Sequence, residues 1–186
     1  MSATESLHGH FLVASQHLSD PNFFRSVVLI VQHDSEGAFG LILNRPLSKT
    51  VSDVWELIFD EPYECPELIC HGGPVEGPLT AVHASVRCGE NEIVPGVYFA
   101  AARENIAELV KQETDEYRLF AGYAGWGGGQ LESEVEAGGW LKTAAKQETI
   151  FSDHQEMWKQ VIEQIGLEIL EPTIRSRHVP RDPATN

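Results

Sequence analysis

Three cysteines and eight histidines are the side chains of this chain best suited to act as nucleophile, base or metal ligand. Their spacing builds no local site. Cys65, Cys70 and Cys88 lack the paired spacing of a zinc site. His8, His10, His17, His33, His71 and His83 form neither an HExxH run nor a two-histidine, one-carboxylate set within one element. No metal and no cofactor is expected. Cys70 precedes His71, but adjacent strand residues point to opposite faces, so they are not a dyad. Pairing Cys70 with His33 or His83 would require the fold to bring them together. Cys65 and Cys70 are candidate redox partners on a proline-bounded loop, where so short a closure makes a bond reversible chemistry more than a staple. Reduced, partly buried thiols are the plainer expectation.

Two backbone-rich motifs could bind a ligand. Residues 122–132 hold five glycines around Trp126, followed by Gln130, Leu131 and Glu132. No Lys-Ser or Lys-Thr follows them as a P-loop needs, and no Gly-x-Gly-x-x-Gly register exists. Glu132 and Glu134 open the next helix and would repel a phosphate there. A structural strand-to-helix turn packed under Trp126 is therefore expected. Asn44-Arg45-Pro46 ends an apolar strand, where Arg45 could take a carboxylate or phosphate bidentately or form an internal ion pair. Arg25 has the same two options. The candidate ligand-binding set is Arg25, His33, Asn44, Arg45, His71, Gly72, Gly73, Gly125, Trp126 and Gln130, with His33 most simply a turn residue. No catalytic set is recognised, and no Gly-x-Ser-x-Gly elbow exists.

The elements that must position these groups read as α+β. Residues 10–14, 27–32 and 38–44 are apolar strands, the last two an antiparallel hairpin turning at Asp34–Gly37. Thr50 and Asp53 make a capping box for a helix over 51–59. Strands follow at 68–70, 79–85 and 92–100, the last broken by Pro95-Gly96. An amphipathic helix over 102–112 precedes a strand over 117–123, then a helix over 131–137 ended by Gly138-Gly139. Short strands at 140–144 and 149–151 lead to a helix capped by Ser152 and Gln155. Met157, Trp158, Val161, Ile162 and Ile165 form its apolar face, and Gly166 ends it.

With 186 residues the chain fits one domain with a sizeable core. Its net charge of −15 repels nucleic acid at long range. The one basic concentration is Arg175, Arg177, His178 and Arg181 in a tail, 171–186, expected to be flexible. No apolar run is long enough to span a bilayer, and the N-terminus lacks a signal-peptide pattern, so a cytoplasmic location is expected.

Gly9–Ala14, Asp20–Val28, His33 and Gly37–Pro46 resemble the first half of the YqgE/AlgH family. His71–Val75, Gly122–Trp126 and Gln130–Glu134, with Trp140 and the Trp158 helix, resemble its second half. The match runs to about residue 170. The resemblance implies a single-domain bacterial cytoplasmic protein whose bent, mainly antiparallel sheet curls into a barrel-like form with helices packed on it. It carries no agreed catalytic residues, and one branch is named as a regulator of transcription. Gly128 stands where relatives often place proline or another small residue, which loosens the loop. The expected function is a non-enzymatic binding or regulatory protein with a small-molecule or protein partner, without strong nucleic-acid or membrane binding. The alternative is an unrecognised enzyme or small-molecule-binding protein whose site joins Asn44-Arg45, His71–Gly73 and Gly125–Gly129.

Overall fold

The computed structural model describes residues 5–112 and 116–177, with side chains through Glu171. Strands β1 (His10–Ala14), β2 (Val27–Asp34), β3 (Gly37–Ile42) and β4 (Pro46–Thr50) lead to helix α1 (Val51–Phe59). Then come β5 (Leu68–His71), β6 (Thr80–His83), β7 (Asn91–Val94), β8 (Val97–Ala100) and α2 (Arg103–Gln112). The chain closes with β9 (Tyr117–Ala121), β10 (Ala124–Gly127), α3 (Gln130–Glu136), β11 (Trp140–Ala144), α4 (Gln147–Ile150) and α5 (His154–Arg177).

Local chemistry fixes several of these boundaries. Both halves of the α1 capping box form: the Asp53 amide donates to Thr50 Oγ1, and the Thr50 amide donates to Asp53 Oδ2 at 2.7 Å. The β2–β3 turn closes through the Glu36 amide on Asp34 Oδ1 at 2.8 Å. Pro95-Gly96 breaks one expected strand into the β7–β8 hairpin, with Gly96 at a φ of 81°.

The strands form two sheets, ordered β10-β3-β2-β1-β11 and β4-β5-β9-β6-β8-β7. All pairings are antiparallel except β5 with β9. Each sheet keeps two edges, so the expected barrel-like closure is replaced by two open sheets. Phe11, Leu29 and Leu41 of the first sheet and Val82 and Phe120 of the second join Met157, Val161 and Ile165 of α5 in one buried cluster. The first sheet's other face packs Leu12, Val28 and Ile42 with Phe23, Trp126, Leu131 and Trp140. The second sheet's other face buries Ile69, Ala81 and Leu119 against Trp55 of α1 and Ile106, Leu109 and Val110 of α2.

Two chain segments cross between the sheets, β3 to β4 and β9 to β10, and the glycines serve this crossing. The Gly72 amide donates to Ala121 O at 2.9 Å, and Gly72 O accepts the Ile42 amide at 2.8 Å. A Cβ on Gly72 would stand 2.2 Å from Gly122 O, which leaves no room for any other residue.

Four local expectations are corrected. The glycine segment contains a strand, β10, paired to β3 from Ala124↔Gly40 to Gly127↔Gly37, rather than only a turn. Residues 149–151 are not a strand: α4 occupies 147–150. The cap of α5 is Asp153, whose Oδ1 accepts the Gln155 amide at 2.8 Å, while Ser152 Oγ donates to Thr149 O instead. Gly166 does not stop α5, which continues to Arg177. The proposed tail thus overlaps the end of α5, and residues 178–186 lie outside the described residues.

Candidate functional site

A 3-10 turn at Pro21–Phe23 starts a segment that presents a cation without a carboxylate partner beside an exposed aromatic ring. Asp20 caps it by accepting the Asn22 amide at 2.9 Å. Phe23 turns inward against Trp126 and Trp140, with ring centroids 6.1 and 5.1 Å away. Phe24 is thereby left on the surface, 70% exposed. Arg25 follows with φ of +53°, in the left-handed region where a side chain costs about 1–3 kcal/mol.

The Asn44-Arg45 motif holds this bend. Asn44 Nδ2 donates to Arg25 O at 2.9 Å, and Asn44 Oδ1 accepts the Val27 amide at 2.8 Å. Arg45 Nη2 donates to Phe24 O at 2.8 Å, and buried Ser26 Oγ donates to Phe23 O at 2.8 Å. Arg45 is therefore committed to a backbone carbonyl, not to the internal ion pair that was one of its expected options. The Arg25 guanidinium carbon lies 5.4 Å from the Phe24 ring centroid and 5.3 Å from that of Trp158 on α5. Among the described residues no carboxylate comes within ion-pair distance of it. Beside it is a cleft of about 490 Å³ bordered by Ser15, Leu18, Asp20, Phe24, Arg25 and Trp158. The buried Trp158 Nε1 has no hydrogen-bond partner among the described residues. These groups can donate to an anion and stack on a flat ligand. Of the hydroxyls on this border, Ser15 Oγ is engaged by donating to Gly138 O.

The other candidates serve the fold. The His33 side chain is 3% exposed, unlike that of a plain turn residue: its Nδ1 accepts the Leu7 amide at 2.9 Å, so Nε2 carries the proton toward Glu132 Oε1 at 3.1 Å. Gln130 Oε1 accepts the Gly127 amide at 3.1 Å, and its Nε2 donates to Glu134 Oε1 at 3.0 Å. Trp126 and Trp140 both donate to Glu134 Oε2, at 3.0 and 2.8 Å. Gly72 and Gly73 press on the backbone of Gly122 and Tyr123. Gly125 lies on β10 without a positive φ. His71 is exposed in a cleft with Gly73, Pro74, Val75 and Gly122, which includes neither Asn44, Arg45 nor Gly125. Of the three segments that were expected to share one site, the first two meet through the His71 amide, which donates to Arg45 O at 2.7 Å, while Gly125 lies outside the His71 cleft.

The thiols separate. Cys65 Sγ lies 3.5 Å from Tyr117 Oη on the helix-covered face of the second sheet, whereas Cys70 belongs to the cluster between the sheets. The expected Cys65–Cys70 pairing is not supported by this placement. Cys70 instead meets His154, with Sγ 3.3 Å from Nε2, so neither His33 nor His83 is its partner. Arg118 Nη1 donates to the same His154 nitrogen. Burial pushes the Cys70 thiol up, against the opposing pull of Arg118, and so favours its protonated form. Phe24, Trp158, Arg118 and His154 were not selected as site residues. An arginine inside the apolar run Tyr117–Ala121 was the one signal available for the last pair.

Burial, then Arg118, lowers the His154 pKa below its ordinary 6.5. A histidine depressed in the folded state binds its proton more readily when unfolded, so stability is lost as pH falls from about 6.5 toward the lowered value. Urea midpoints across pH 7.5–5 are expected to fall in this window. His154→Gln, which keeps an acceptor without titrating there, should flatten the fall. An unchanged slope in that variant would assign the effect elsewhere. The lowered carboxylates of Asp53 and Glu61 act only below their ordinary range.

No described helix is long and apolar enough to cross a membrane. The family described as AlgH-like matches residues 11–170. UPF0301 protein CT0663 of Chlorobaculum tepidum is 37% identical over 167 residues, covering 85% of this chain and 86% of its own. UPF0301 protein SCO2948 of Streptomyces coelicolor is 38% identical over 171 residues, covering 87% and 88%. The solution structure of the AlgH protein from Pseudomonas aeruginosa superposes with a TM-score of 0.76 at 25% identity, covering 100% of this chain and 99% of that one. The crystal structure of DIP2367 from Corynebacterium diphtheriae shares the fold, with a TM-score of 0.69 at 23% identity over 88% and 90% of the two chains. The expected resemblance holds over nearly the whole chain, and the protein is a member of the YqgE/AlgH family.

Proposed function

We propose that this is a non-enzymatic binding protein whose contact surface is the Phe24–Arg25 bend and the cleft beside it. The observation that carries this reading is Arg25 itself. A non-glycine residue is held at +53° by the Asn44 and Arg45 side chains, and the result is a cation without a carboxylate partner. Strain maintained by surrounding bonds is characteristic of recognition sites. Arginine with an exposed aromatic neighbour is also the composition of binding hot spots. The ligand chemistry that fits is a carboxylate or phosphate attached to a flat apolar group, with Arg25 as the donor and the exposed Phe24 ring as a stacking face.

A regulatory role would follow from such binding rather than from contact with DNA, since a chain of net charge −15 with no basic recognition helix among its described residues is a poor phosphate-backbone ligand. Cytoplasmic residence belongs to the same reading. The test is a thermal-shift screen of the full chain against nucleotides, aromatic carboxylates and an acidic aromatic peptide, with duplex DNA at physiological salt as a negative arm. A ligand at about 100 times its Kd adds about 2.7 kcal/mol to stability, which is readily seen as a rise in melting temperature. The expected result is a rise with at least one anionic aromatic probe that Arg25→Gln abolishes. A rise shared equally by Arg25→Gln, or one produced by DNA alone, would refute the assignment.

A further inference from the structure

Arg118 interrupts the apolar strand β9 and reaches under the α4–α5 junction. Its Nε donates to Ile150 O at 2.8 Å, Nη2 donates to Ser152 O, and Nη1 donates to His154 Nε2. A guanidinium carries five N–H groups, so two remain beyond these bonds, one on each terminal nitrogen, beside the neutral Cys70 thiol, which is a weak acceptor. No carboxylate lies within ion-pair distance of this half-buried cation among the described residues. It borders a cavity of about 390 Å³, within the size range of small-ligand sites. Leu68 and Phe151 supply apolar wall, and the exposed Glu116, whose charge acts on Arg118, supplies negative charge. Among the described residues Glu116 has no cation at ion-pair distance.

The charges select the ligand. A simple anion would meet Arg118 but must approach past Glu116 on a chain of net charge −15. A simple cation would suit Glu116 but meet the guanidinium. We propose that the cavity binds a small apolar α-amino acid in its zwitterionic form. Its carboxylate takes the two remaining N–H groups of Arg118, as many as a bidentate pair requires. Its ammonium group pairs with Glu116, and its side chain packs on Leu68 and Phe151. His154 and the two backbone carbonyls hold the guanidinium in place.

This site shares no bordering residue with the cleft at Arg25, so the two assignments stand or fall separately. The experiment is isothermal titration of the full chain with free leucine, methionine and phenylalanine, their N-acetyl and amide derivatives, and inorganic phosphate. Removing Arg118 would unhook the α4–α5 junction and confuse binding with folding. Leu68→Trp, which fills the cavity from a half-exposed position, and Glu116→Gln are therefore the informative variants. Saturable binding of at least one free amino acid is expected. It should weaken about tenfold or more in the N-acetyl and amide forms and in Glu116→Gln, a loss of at least about 1.4 kcal/mol. It should disappear in Leu68→Trp and persist in Arg25→Gln. No saturable binding by any free amino acid would overturn the proposal. So would equal binding of the blocked forms or of phosphate, or wild-type affinity in Leu68→Trp.

Discussion

The Gly72→Ala variant is expected to fold poorly, with its urea midpoint lowered by at least the upper part of the about 1–3 kcal/mol that overpacking costs. The added methyl would stand 2.2 Å from Gly122 O and 3.0 Å from Leu41 Cδ2. Leu41 can rotate, but the Gly122 carbonyl belongs to the crossing that passes the chain from one sheet to the other. Relief requires that the two backbones separate, which would stretch the Gly72 bonds to Ala121 and Ile42. Gly166→Ala is the matched control. A Cβ there meets nothing within 4 Å inside a helix, so alanine should stabilise by about 0.5–1 kcal/mol. Equal midpoints for Gly72→Ala and wild type would mean that the two segments are not packed as described.

Glu134→Ala is expected to cost about 2–6 kcal/mol, because two indole N–H groups lose one acceptor and each unsatisfied buried donor costs about 1–3 kcal/mol. Trp126 and Trp140 are 7% and 3% exposed, so water cannot readily replace the carboxylate. Removing one negative charge from a chain at −15 works in the opposite direction. That gain is a surface effect of about 1 kcal/mol at most, and the orphaned donors dominate. Glu134→Gln retains an oxygen for the indoles and should lose less. Urea melts followed by tryptophan emission check both variants. A Glu134→Ala midpoint within error of wild type would show that the indoles find other acceptors.

Much of the fold was legible because its signals are local. The β2–β3 hairpin follows from β-branched runs around Asp34–Gly37, and α1 from one capping box. β10 was hidden because glycine at 125 and 127 disfavours a strand, and pairing with β3 overrides that preference. Gly166 did not end α5 because one glycine costs about 1 kcal/mol, little against a 24-residue helix. At the candidate site, Arg25, Asn44 and Arg45 were selected together, but their division of labour was not readable. Asn44 and Arg45 hold the bend by reaching back across 19 and 21 residues, and only Arg25 is left for contact. The His33–Glu132 pair spans 99 residues and depends on the placement of α3, which no spacing rule encodes.

The central claim is that Arg25 is placed for contact and strained for it. The direct measurement pairs Arg25→Gly with Arg25→Ala, comparing urea midpoints and the thermal-shift response to the anionic aromatic probe. Glycine relieves the +53° backbone whereas alanine keeps the strain, and both lose the exposed cation–π contacts, worth about 0.5–1 kcal/mol. The account predicts Arg25→Gly about 1 kcal/mol more stable than Arg25→Ala, near wild type, with the probe response lost in both. If Arg25→Gly instead falls as far as a core truncation, or keeps the full probe response, Arg25 belongs to the fold and the binding assignment is contradicted.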